Sequence, residues 1–211
     1  MTPLNIDPTL LLLVIAFLYI LVFGGLSHMR REGLSAQFAL EALLVTAVLV
    51  GGGRLIGVVM NPFLFIILLY VITMRSRILV DIANMLAQRG RHQPAFKLYD
   101  WALALRPDQS SRLIIACNRG AAELHSGHID QAIKTLEGVL EEEKRPNLGL
   151  KYEAVCRCNL GLAYDREGER AKAVQQFNEV IDLFPGSPYA RAAEATLKRW
   201  RSGQAEKPAD E

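Results

Sequence analysis

The chain has 211 residues, 51% of them hydrophobic and 22% charged, with a formal net charge of +2. Basic and acidic residues nearly cancel and are interspersed, so no face is basic enough to grip a phosphate backbone, and nucleic-acid partners drop out. The charges are also segregated: residues 1–75 hold no Lys and only Arg30, Arg31, Arg54, Arg75, Asp7, Glu32 and Glu41. That divides the chain into a membrane half and a charged half.

The first predicted element is an uncharged apolar run from Thr9 to Leu26, 18 residues. As a helix it is about 27 Å long, close to the ~30 Å of hydrocarbon in a bilayer. Residues 1–8 lack Lys and Arg and no small-x-small cleavage pattern follows, so a retained span is expected rather than a signal peptide. A second run, Leu34 to Val50, contains Glu41 and ends at Gly51, Gly52 and Gly53. A third, Leu55 to Met74, contains Asn61 and Pro62. These predict a hairpin whose turn lies either at the glycines or at Met60-Asn61-Pro62, since Pro62 can begin a helix or kink one. Three spans are therefore expected, at about 9–26, 34–50 and 55–74.

Arginine placement predicts their orientation. The N-terminal tail has none; Arg30 and Arg31 follow the first span, Arg54 the second, and Arg75, Arg77, Arg89 and Arg91 the third. Positive residues accumulate on the cytoplasmic side. The pattern predicts a multi-pass protein of a bacterial inner membrane, N-terminus outside and charged half in the cytoplasm. The odd number of cysteines, Cys117, Cys156 and Cys158, fits a reducing compartment better than a disulfide framework. Glu41, an acid within a span, is a functional candidate by default; its position two turns from the cytoplasmic end favours a hydrogen bond to a neighbouring helix instead. With no Gly or Pro between Met74 and Gln88, the third span is expected to continue unbroken into the charged half.

From Val80 onward one pattern recurs three times. Its last copy has Leu160, Gly161, Tyr164, Gly168, Ala173, Phe177, Val180 and Pro185. The middle copy has Gly120, Gly127, Ala132, Leu136 and Val139 at the same offsets, and the first has Ala83, Gly90, Ala95, Tyr99, Ala102 and Pro107. Gly161 and Ala173 belong where two helices cross closely, Gly168 in the turn between them, and Tyr164 and Phe177 in the space on either side. This pattern resembles the tetratricopeptide repeat, a helix-turn-helix unit of 34 residues. The repeats are expected at about 76–107, 111–144 and 152–185, with extra length at Glu141 to Asn147. A capping helix is predicted over 187–201, with Ser187 as N-cap, Pro188 in the first turn, and Tyr189, Ala193, Leu197 and Trp200 on one face. Residues 202–211 are polar and aperiodic, which predicts disorder. The fold class expected is all-α: three membrane helices, three repeat pairs and a cap.

No nucleophile motif, glycine-rich phosphate loop or paired acid and base is present, so neither an enzyme nor a cofactor is expected. His125 and His128 straddle the Gly127 turn and are read as solvated rather than zinc-ligating. The resemblance implies a concave face formed by the first helix of each pair. Carried over position by position, it places Asn84, Gln88, Ile114, Cys117, Asn118, Ala121, His125, Val155, Cys158, Asn159, Leu162 and Asp165 on that face. Some relatives grip a C-terminal carboxylate there with basic residues. Here Val80, Val155 and Asn159 occupy the basic positions, so the resemblance implies an apolar, amide-rich groove for a helix or extended peptide. The function expected is a membrane-anchored adaptor, with a part in assembling a membrane complex; the alternative is a regulatory or structural subunit of a channel or transporter.

Overall fold

A computed structural model describes residues 7–29, 36–142 and 148–202. Among the described residues it contains ten helices and no strand: α1 Pro8–Met29, α2 Ala36–Leu55, α3 Pro62–Thr73, α4 Arg75–Gln88, α5 His92–Ala104, α6 Gln109–His125, α7 Ile129–Glu142, α8 Leu150–Glu167, α9 Arg170–Leu183 and α10 Pro188–Arg201. Arg30, Arg31, the residues 143–147 of the expected insertion and the residues 203–211 of the expected tail lie outside the described residues.

Helices α1 to α3 form a small bundle that is apolar inside and out. Leu12, Ala16, Tyr19, Ala42, Phe65 and Leu69 fill its interior. Its outer surface carries Leu13, Phe17, Leu18, Leu43, Leu44, Val48, Phe63 and Ile67, all exposed. Water penalises so large an apolar surface, whereas lipid does not. By itself α2 is long and apolar enough to cross a bilayer, and the described apolar stretch of α1 is the shorter Pro8–Gly24. The expectation of three spans is thereby corrected. The chain leaves helical geometry at Ile56 and re-enters at Pro62, with Asn61 capping the Phe63 amide at 2.9 Å. That leaves α3 only 12 residues, about 18 Å, well short of the hydrocarbon thickness. The glycines 51–53 stay within α2, so the turn falls at 56–61.

A second correction concerns the join to the charged half. Instead of one continuous helix, α3 and α4 meet at Met74 with a 71° bend. The sequence contains the cause, though not as Gly or Pro. Thr73 Oγ1 donates back to the Leu69 carbonyl at 2.7 Å, and the Arg75 guanidinium donates to the Ile72 carbonyl at 2.8 Å. Side chains that take over carbonyls in the last turn release a helix from its ladder. The bend is then tied down, because Arg75 also grips both carboxylate oxygens of Glu41 at 2.7 and 3.1 Å, and Gln37 donates to the Arg106 carbonyl at 3.0 Å.

Helices α4 to α9 pack as three antiparallel pairs. Gly90, Gly127 and Gly168 sit in the intra-pair turns at φ of 72°, 85° and 90°, a region that L-residues with a Cβ rarely enter. The pairs cross closely where the small residues fall: a Cβ added to Gly120 would lie 2.7 Å from Leu136, and one added to Gly161 would lie 2.9 Å from the Phe177 ring. Polar staples join successive helices. Buried Glu123 is held by Arg119 at 2.9 Å and by the Thr135 hydroxyl at 2.8 Å, and Arg119 reaches on to Asp100. Each charge inside is therefore matched, as burial demands. Helix α10 closes the stack: Ser187 Oγ accepts from the Ala190 amide at 3.0 Å, Ala190, Ala193 and Leu197 turn inward, and Trp200 lies edge-on to Phe177 under the Arg170 guanidinium.

Candidate docking groove and junction cavity

Helices α4, α6 and α8, the first of each pair, line up side by side. The residues expected on their shared face divide into three sets. Asn84, Ile114, Asn118 and Val155 converge on one cavity of about 640 Å³. Gln88, Ala121, His125, Cys158, Asn159, Leu162 and Asp165 lie along or beyond the same helices outside it, from half-buried to exposed. Cys117 does neither: at 1% exposure its side chain packs in the core, with Sγ 3.9 Å from the Tyr152 carbonyl. Helical drift explains the misplacement, since one position of rotation is 100° and turns a groove residue into a core one.

Individual groups in this surface are constrained. The Tyr99 hydroxyl donates to Asn84 Oδ1 at 2.6 Å, which fixes the amide so that its N–H groups remain for a ligand. Burial pushes the Tyr99 hydroxyl up to about 12 and the Cys158 thiol up to about 11, so both stay protonated at neutral pH. Cys158 Sγ lies 3.9 Å from the Tyr189 carbonyl, while Cys156 is fully buried. Desolvation, with smaller contributions from Arg166 and His92, holds His125 below the ordinary imidazole range and therefore uncharged near pH 7. Asp165 is bound to Arg170 at 3.0 Å. His128 shares a 2.8 Å hydrogen bond with Ser126, and among the described residues no three His, Cys, Asp or Glu groups gather as a metal would require.

Sequence reasoning missed the other wall of the cavity. Phe23 of α1 and Phe38 and Glu41 of α2 face the groove across Arg75 and Arg77 of α4, while Lys151, Tyr152 and Tyr189 complete the rim. The only signal was Glu41, singled out as an acid within a span. Its carboxylate is occupied by Arg75 and by Gln37 at 3.2 Å. The cations that line this surface are Arg75, Arg77 and Lys151, and Val80 is buried at 5%.

Stacked antiparallel helix pairs with a capped end and a lined inner face define an α-solenoid of the helix-turn-helix repeat class. A model of the tetratricopeptide repeat family matches residues 159–187, spanning the second half of α8 and all of α9. With two further pairs of the same build, the match supports a tetratricopeptide repeat protein. No curated protein and no solved structure matches the chain.

Proposed function

We propose that this chain is a membrane-anchored docking protein: α1 to α3 seat it in a bilayer, and the inner face of the solenoid holds a protein partner at the cytoplasmic surface, in the assembly of a membrane complex. The observation that carries the reading is the pairing of two surfaces. The bundle exposes apolar side chains all round its outside, and the solenoid's inner face, amide-bearing and apolar, runs directly into the end of that bundle. Tetratricopeptide repeats are interaction modules as a class, and half-buried Asn159 and Leu162 offer the mixture of amide and apolar surface that suits a peptide backbone with apolar side chains. The arginines at 75, 77, 89 and 91 favour the cytoplasm for the solenoid. With α2 crossing and α3 too short to cross alone, the anchor is better described as one crossing helix with α1 and the short α3 packed on it.

A photo-crosslinking amino acid placed at Asn159, and separately at exposed Glu194 on α10, tests both parts in living cells. The expected result is a discrete partner adduct from position 159, absent from position 194 and lost when Leu162→Arg is added, in a protein that resists alkaline extraction from membranes. Adducts that are identical at the two positions would remove the groove from the mechanism. Release by alkali would remove the anchor.

A further inference from the structure

We propose that the junction cavity is a lipid site, filled by the head group and upper chains of a zwitterionic phospholipid bearing a primary amine, of the phosphatidylethanolamine class. The inference rests on the membrane-anchored reading and adds to it a ligand distinct from the protein partner.

Three observations carry it. The first is position. One wall is made by Phe23 and Phe38 at the ends of α1 and α2 that meet the solenoid; the other is the polar N-terminal part of the repeat array. In a bilayer this is the boundary between hydrocarbon and water, where head groups already surround every side chain. The second is charge. Arg77 and Lys151 line the cavity together with Asp81 and Asp108; neither cation makes an ion pair with another described residue, Lys151 lies 5.5 Å over the Tyr152 ring, and Asp108 uses one carboxylate oxygen to cap the Ser111 amide at 3.0 Å. The Glu41 and Arg75 charges close on each other at 2.7 Å. A lining that carries both signs matches one ligand that holds phosphate and ammonium together; a purely anionic head group would leave the Asp81 carboxylate and the second oxygen of Asp108 unanswered. A primary ammonium has three N–H donors for those carboxylates, whereas a trimethylated one has none. The third is the amide register. With its oxygen held by Tyr99 at 2.6 Å, Asn84 keeps both N–H donors, suited to ester or phosphate oxygens. Ile114 and Val155 offer the apolar surface that glycerol and the first methylenes require. The volume of about 640 Å³ accommodates a head group with the beginning of its chains.

The test uses the full chain purified in mild detergent and examined by native mass spectrometry with added phosphatidylethanolamine, phosphatidylcholine or phosphatidylglycerol. The expected result is one phosphatidylethanolamine retained per chain, with the other two lipids bound about tenfold more weakly. Arg77→Ala with Lys151→Ala should weaken that binding about tenfold, while Lys198→Ala on α10 leaves it unchanged, and an unchanged circular dichroism spectrum establishes that the double variant is folded. Equal retention of all three lipids, or full retention by the double variant, overturns the proposal; a cavity filled by a segment of a partner protein would give the first of these. The two readings fail separately. A chain that does not co-float with vesicles refutes the anchor, and one that co-floats without lipid preference refutes only the lipid site.

Discussion

Two glycines of the middle repeat give the most direct measure of how tightly its helices cross. Gly120 on α6 and Gly138 on α7 are both interior helical positions, and replacing either with Ala recovers about 1 kcal/mol of helix propensity. They differ in what the new methyl meets. At Gly138 nothing lies within 4 Å, so the gain is realised in full. At Gly120 the methyl would stand 2.7 Å from Cδ2 and Cγ of Leu136, about 1 Å inside the optimal carbon–carbon separation. Leu136 is itself fully buried and has no room to retreat. Overpacking of this kind costs about 1–3 kcal/mol, so Gly120→Ala should lose about 1 kcal/mol net while Gly138→Ala gains about 1. For a chain of this length the two melting temperatures should then differ by roughly 4–8 °C, read by circular dichroism on the full chain in detergent. If Gly120→Ala raises the melting temperature as far as Gly138→Ala does, α6 and α7 do not cross where the structure brings them together.

Other consequences follow from buried and paired groups. Tyr99 titrates at about 12 when folded, above its unfolded value of about 10, so the stability it contributes is full below pH 10 and falls as pH rises through 12. Denaturant titrations of wild type and Tyr99→Phe should diverge by about 2 kcal/mol across that window; parallel curves would mean that the hydroxyl is solvated. Cys117 and Cys156 are buried and the Cys158 thiol is pushed up to about 11, so a thiol-specific disulfide reagent at pH 8 should leave all three unmodified in the folded chain and label all three in denaturant. Arg75→Ala should destabilise the junction more than Glu41→Gln, because Arg75 serves both Glu41 and the Ile72 carbonyl. A double-mutant cycle should return a coupling of about 1 kcal/mol between the two, and a coupling of zero would refute the pairing.

Much of the solenoid was legible because its determinants are local. Gly168 and Gly127 mark turns that need positive φ, and Gly161 and Ala173 mark the crossing of a pair; a recurring interval announces both without any tertiary knowledge. The groove was legible only as a stripe. Which residues of that stripe face outward depends on how each helix is rotated by its neighbours, so Cys117 went to the core while Asn118, one residue on, reached the cavity. The expectation of three spans failed for a related reason. Hydropathy integrates over a window, and Leu55 to Met74 is apolar enough throughout, but the chain unwinds at 56–61 and turns at Met74.

By itself, then, the sequence determined an apolar N-terminal portion, a helical repeat array, its glycine turns and its serine-and-proline cap. Only the tertiary structure decided the 71° bend, the Glu41–Arg75 bridge that holds it, and the cavity where Phe23 and Phe38 meet Asn84 and Asn118. The physical reason is range. Turns, caps and helix faces follow from residues a few positions apart, whereas the bridge joins positions 34 residues apart and the cavity draws on seven separate helices. Such meetings depend on how finished elements pack, and no local pattern encodes them.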